Sequence, residues 1–148
     1  MSEDARNARA GDLGPDAWTR ALGIEMLETT PARVVARLHA DSRHHQPYGI
    51  LHGGVYCSIV ETVASHGAGQ AARAAGQAGV VGVSNHTDFL RSHSEGELHI
   101  VAVPLHVGRT QQLWEVRITR SRDDRLVSRG QVRFAVLTEL PANRGREA

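Results

Sequence analysis

The chain has 148 residues, 41% apolar, 4% aromatic and 22% charged, with 17 basic against 16 acidic side chains and a formal charge of +1. That is one domain's length, and the balance speaks against a nucleic-acid binder, which carries a basic excess or stripe. All 17 basic residues are arginine, which excludes a lysine Schiff base or a Walker lysine, and the single Cys57 excludes an intramolecular disulfide.

No stretch approaches the roughly 18 consecutive apolar residues of a membrane-spanning helix. Residues 1–12 carry Glu3, Asp4, Arg6, Arg9 and Asp12 and no apolar run, so no signal peptide is expected. The default expectation is a cytoplasmic protein without membrane attachment. Flexible ends are expected over 1–13 and 139–148, around one domain over 14–138.

Pro15-Asp16-Ala17-Trp18 predicts a short helix start, and Gly23 its end. Ile24–Glu28 and Ala32–His39 predict strands joined by a turn at Thr30-Pro31; in the second, Val34, Ala36 and Leu38 alternate with Arg33, Val35, Arg37 and His39. Residues 41–51 read as a polar loop. The one long helical pattern runs from Gly53 to Ala75, closed by Gly76. Val55, Tyr56, Ile59, Val60, Val63, Ala64 and Gly67 form its apolar arc. Gly54, Cys57, Ser58, Glu61, Ser65 and Ala68 are expected opposite. Four further strands are predicted over Val80–Leu90, Leu98–Val107, Leu113–Arg120 and Leu126–Leu137. One amphipathic helix among strands must bury its apolar face on the sheet, so the class is α+β.

The chemistry-bearing segment is His45-Gln46-Pro47-Tyr48-Gly49-Ile50-Leu51-His52-Gly53-Gly54, which leads into the long helix. The first N–H groups of a helix lack internal partners and sit at the positive end of its dipole. With no Cβ over them, they can receive a carbonyl oxygen that is becoming an oxyanion. Glu61 is the only charged residue between Gly53 and Ala72, with Ser65 one turn on. A partly desolvated carboxylate among small residues suits a general base. A tight helix entry and a carboxylate paired across an interface would leave the same pattern.

The run from Gln46 to Gly54 followed by Glu61 and Ser65 resembles the hotdog-fold acyl-CoA thioesterases of the phenylacetate-degradation and 4-hydroxybenzoyl-CoA type. It is most similar to the branch that hydrolyses 1,4-dihydroxy-2-naphthoyl-CoA, or aryl groups misloaded on carrier protein in siderophore synthesis. Val80-Val81-Gly82, Arg91-Ser92, Pro104 to Arg109 and Gln112-Leu113-Trp114 extend the resemblance over roughly Leu22 to Leu137.

The resemblance implies a hotdog fold, a long central helix wrapped by an antiparallel sheet of five or six strands, and hydrolysis of an acyl-CoA or aryl-CoA thioester without a cofactor. It assigns Glu61 as nucleophile or general base, the Gly53 N–H as the group that polarises the carbonyl, and His52 as orienting the oxygen or the leaving thiolate. Gln46 would hold the water or carboxylate, and Ser65 would hydrogen-bond near them. Gly82 and Val83 would flank the pantetheine arm, with Arg91, Ser92, Gly108 and Arg109 toward the CoA phosphates, since a guanidinium matches phosphate oxygens. Asn85 to Phe89 departs from the family's short polar run, which places Phe89 and His86 to reshape the acyl pocket or a subunit interface. The resemblance further implies a homo-oligomer, a dimer going on to a tetramer, with active sites at the dimer interface.

His44, His45 and His52 are the densest histidine group, but they lack Cys partners and a His-Glu-x-x-His helix, so no metal site is expected. Cys57 has no evident activator, and no Gly-x-Ser-x-Gly elbow occurs. A hotdog dehydratase would need a different motif. A non-catalytic acyl-CoA sensor would use the same groove but need not keep Glu61.

Overall fold

The computed structural model describes residues 16–141. Of the expected loose ends over 1–13 and 139–148, all but residues 139–141 lie outside them. A short helix α1 (Ala17–Leu22) comes first, followed by strands β1 (Ile24–Thr29) and β2 (Val34–Ala40). The long helix α2 (Gly53–Ala74) follows, and then β3 (Gly79–Phe89), β4 (Gly96–Val107), β5 (Gln111–Arg120) and β6 (Leu126–Leu137). Asp16 caps α1 by accepting from the Thr19 N–H at 2.8 Å, and Gly23 ends it at φ 76°, a left-handed conformation that favours glycine.

The six strands form one antiparallel sheet in the order β1-β2-β4-β5-β6-β3. This is the expected hotdog arrangement: α2 lies on one face of the sheet and supplies its core. Ile59, Val60, Val63 and Ala64 of α2 meet Leu38, Ile100, Trp114, Ile118 and Phe134 of the sheet, all fully buried. Burial of each large apolar side chain is worth about 1.5–3 kcal/mol. Exposed ion pairs such as Arg37–Glu25 at 2.8 Å contribute about 0–1 kcal/mol each. The apolar layer therefore holds the sheet to the helix.

Two expectations are corrected. Ala68, expected on the polar side of α2, is fully buried. β5 packs over it, and the Ala68 carbonyl accepts from the Gln112 side chain at 3.2 Å. Residues 41–51 are not simply a polar loop. Ser42–His44 is a 3₁₀ turn closed by a reciprocal cap, in which Arg43 N–H donates to the Asp41 carboxylate and Asp41 N–H donates to His44 Nδ1. His44 Nε2 lies 2.8 Å from the Leu22 carbonyl, so this buried histidine pins the segment to α1.

β3 ends the sheet with one edge unpaired. Its pairing with β6 slips once: Gly82 faces Phe134, but Ser84 faces Arg133, leaving Val83 as an extra, bulged residue. Before the bulge, Val80 and Gly82 face α2. After it, Asn85, Thr87 and Phe89 do, opposite the buried Val132, Gly130 and Ser128.

Candidate active site

The start of α2 is built by His52. As N-cap residue, its Nδ1 accepts from the Gly54 N–H at 2.8 Å. An acceptor Nδ1 puts the proton of the neutral ring on Nε2. The exposed side of His52 is therefore a hydrogen-bond donor. Of the two glycine N–H groups expected to be open, Gly54's is occupied. Gly53's, at the first helical position, has no intrahelical acceptor. A side chain on Gly53 would begin 2.7 Å from a Phe89 ring carbon, so the helix entry and the end of β3 are in close contact.

A cavity of about 340 Å³ opens beside Gly53. Ile50, Leu51, Tyr56, Phe89 and Leu90 make it largely apolar, with Gln46, Arg91 and Ser92 at its polar side. The Tyr56 and Phe89 rings stand 5.8 Å apart at 32°. Burial pushes the Tyr56 phenol up to about 12, opposed by Arg120, and its hydroxyl has no partner among the described residues. Within the protomer the Gln46 side-chain oxygen accepts from the Tyr48 N–H and shapes the turn. The Tyr48 ring is 89% exposed and anchors nothing within the protomer.

Glu61 lies on the side of α2 that faces β3. Its Oε2 accepts from Asn85 Nδ2 at 3.1 Å, and its Oε1 fills the space beside Gly82. Sequence reading missed Asn85, because strict alternation from Val80 points positions 84, 86 and 88 at the helix. The bulge at Val83 inverts that parity. His86 consequently faces away from α2 and pairs with Asp88 at 3.3 Å. Ser65 is half-buried one turn beyond Glu61 and makes no hydrogen bond to it among the described residues.

Within one protomer these parts do not converge. Eight residues separate Gly53 from Glu61, about 12 Å along the helix axis. A carbonyl held by the Gly53 N–H lies beyond the reach of the Glu61 carboxylate of the same chain. The arginines are also divided. Arg91 donates to the Leu126 carbonyl at 2.7 Å, at the start of β6. Gly108 and Arg109 form the β4–β5 turn, beside the far end of β6, where Gln111 pairs with Ala135. That is roughly 30 Å away along the strand. The described residues hold no group of three side chains suited to a metal ion.

A family model described as the thioesterase superfamily matches residues 48–127. The Mycobacterium tuberculosis protein Rv1847, which bears an esterase name, is 46% identical over 121 residues, covering 81% of this chain and 86% of that protein. Its solved structure has a TM-score of 0.81 with 43% identity, covering 85% of this chain and 100% of that one. The proofreading thioesterase EntH of Cronobacter sakazakii is 40% identical over 101 residues, covering 68% of this chain and 66% of EntH. The thioesterase HI1161 of Haemophilus influenzae has a TM-score of 0.77 with 28% identity, covering 86% of this chain and 87% of that one.

Proposed function

The chain belongs to the thioesterase superfamily and is a thioester hydrolase, and from that premise we propose that it releases an aryl or medium-sized acyl group from coenzyme A with Glu61 as the reacting carboxylate. The observation that carries this reading is Glu61 itself, the only charged side chain between Gly53 and Ala72, aimed at the edge strand and held there by a hydrogen bond. A solvated helix face would carry several charges.

The thioester carbonyl lies against the Gly53 N–H, where the helix dipole favours developing negative charge. The His52 Nε2–H stands beside it as a second donor. Glu61 attacks the carbonyl carbon, forming a mixed anhydride that water then hydrolyses, or takes the proton of the water that attacks directly. The C–S bond breaks, the thiolate leaves and takes up a proton as CoA, and the acid is released. No cofactor is required. The cavity walled by Tyr56 and Phe89 suits a flat acyl group, since offset and tilted rings attract one another. Arginine guanidinium groups at Arg91 and Arg109 suit the CoA phosphates.

The separation of Gly53 from Glu61 requires a second copy of the chain. β3 is 11 residues long, has an unpaired edge and carries, apart from His86 and its partner Asp88, no acidic or basic residue. Such an edge favours strand addition. A two-fold pairing of β3 with β3 sets one copy's Gly79 end against the other's Phe89 end, which brings the Arg109 turn of one toward the Arg91 loop of the other. We assign the active unit as this dimer, working in the cytoplasm. No described helix is long and apolar enough to cross a membrane.

A thiol-release assay over aryl- and fatty acyl-CoA thioesters tests this reading. Glu61→Ala is expected to lose about 10²- to 10⁴-fold in rate on the best substrate. A folded Glu61→Ala protein as fast as wild type would sink the mechanism. A monomer with full activity in sedimentation and assay would sink the shared site.

A further inference from the structure

We propose that Asn85 is a positioning residue for Glu61, aimed by the Val83 bulge and oriented by Thr87; this rests on the reading of Glu61 as the reacting carboxylate.

Three observations converge on the Asn85 side chain. Its Nδ2 donates to Glu61 Oε2 at 3.1 Å and to the Cys57 carbonyl at 3.1 Å. Its Oδ1 accepts from the Thr87 hydroxyl at 2.7 Å. A backbone carbonyl can only accept, so the Cys57 contact alone fixes which end of the amide faces α2. The Thr87 hydroxyl, free to donate, reinforces the same orientation. The carboxylate is thus offered an N–H donor whose direction does not depend on Glu61.

The fold makes room for this chain of contacts. Thr87 sits opposite Gly130 on β6, and a side chain on Gly130 would begin 2.8 Å from Thr87 Oγ1 and 2.7 Å from a Val60 methyl. The glycine lets Thr87 fit between sheet and helix. The bulge turns Asn85 inward; without it Asn85 would face the outer side of the sheet. Bulges commonly re-aim side chains beside active sites. The consequence for chemistry is that one carboxylate oxygen is tethered. Oε1 is left to the reacting atoms, and Glu61 keeps one rotamer as substrate arrives. Holding a reacting group in its productive geometry is worth orders of magnitude in rate.

The test compares kcat and KM for thioester hydrolysis in Asn85→Ala, Asn85→Asp, Thr87→Val, Thr87→Ser and the Asn85→Ala/Thr87→Val double variant, with Glu61→Ala in parallel and folding followed by circular dichroism. Asn85→Ala is expected to lower kcat roughly 10- to 100-fold with KM within about 2-fold. Asn85→Asp keeps the shape but presents an acceptor to Glu61, so it loses at least as much. A merely structural role would lower folding stability and leave kcat per folded molecule unchanged. Thr87→Val loses less, and Thr87→Ser, which keeps the hydroxyl, restores wild-type turnover. The double variant is no worse than Asn85→Ala, because Thr87 acts through Asn85. Folded Asn85→Ala and Asn85→Asp proteins with wild-type kcat, beside an inactive Glu61→Ala, would overturn this inference alone. Losses that multiply in the double variant would overturn the Thr87 link. Full turnover by Glu61→Ala would instead remove the reading on which the inference rests.

Discussion

The Oε1 atom of Glu61 occupies the space in which a side chain on Gly82 would start. Gly82 is not in the left-handed region, so this glycine is required by space and not by backbone conformation. It is exposed on an edge strand, where an added methyl meets no core atom. Gly82→Ala is therefore expected to fold and melt close to wild type. The methyl pushes Oε1 aside and strains the Asn85 bond on Oε2. A displacement of about 1 Å in a reacting group costs on the order of 10²-fold. Steady-state thiol release checks this: kcat should fall by roughly that factor, and an unchanged kcat would mean that the carboxylate works from another position.

Two glycines of α2 should respond to alanine with opposite sign. A side chain on Gly67 would overlap the ring of Trp114, which is fully buried and donates from Nε1 to Gln112 Oε1 at 2.8 Å. Gln112 in turn donates to the Ala68 carbonyl, so the ring cannot swing away without breaking buried hydrogen bonds. Overpacking costs about 1–3 kcal/mol, more than the helix gains from alanine. Gly69 has nothing within 4 Å of an added Cβ. There the helix preference for alanine acts alone, worth about 0.5–1 kcal/mol. Urea unfolding should show Gly67→Ala destabilised and Gly69→Ala stabilised.

The sequence revealed most of the fold because its strands and helix keep clean periods. Trp114, Val116 and Ile118 point inward as their alternation requires, and Gly23 and Gly76 stop helices where an αL residue is needed. The site was less legible. A bulge leaves no mark in composition, so the parity change at Val83, and with it Asn85, could not be read from alternation. The extra residue shows only in the pairing with β6. The motif also lists Gly53 and Glu61 as one site, whereas helix geometry holds them about 12 Å apart. Motif spacing records which residues are needed and not how many chains supply them. Ala68 lies one turn beyond Ala64 of the apolar arc and belongs with it: it is fully buried, and Gln112 of β5 reaches its carbonyl.

His93 and His66 are expected to weaken the fold as the pH falls. His93 is buried in the loop that follows β3, and its carbonyl accepts from the Leu51 N–H at 2.8 Å. Burial holds its ring below the ordinary value of 6.5, helped by Arg120 and Arg122 and opposed by the Gly96 carbonyl and Asp123. His66 on α2 is likewise held down by burial, against the pull of Asp16. A folded-state value below the unfolded one means that the unfolded chain binds more protons as acid is added. The stability from these two residues is full above pH 6.5 and falls as the pH drops through that value toward the folded-state value. Carboxylates such as Asp16, held down by the Thr19 N–H, lose theirs only below 3.8, in a separate window. Urea unfolding at pH 7.5 and 5.5 should therefore give lower stability at 5.5. His93→Gln keeps an N–H for the Gly96 carbonyl, 3.2 Å from His93 Nε2, but does not titrate. It should shrink the difference between the two pH values, and an undiminished difference would show that His93 contributes nothing to it.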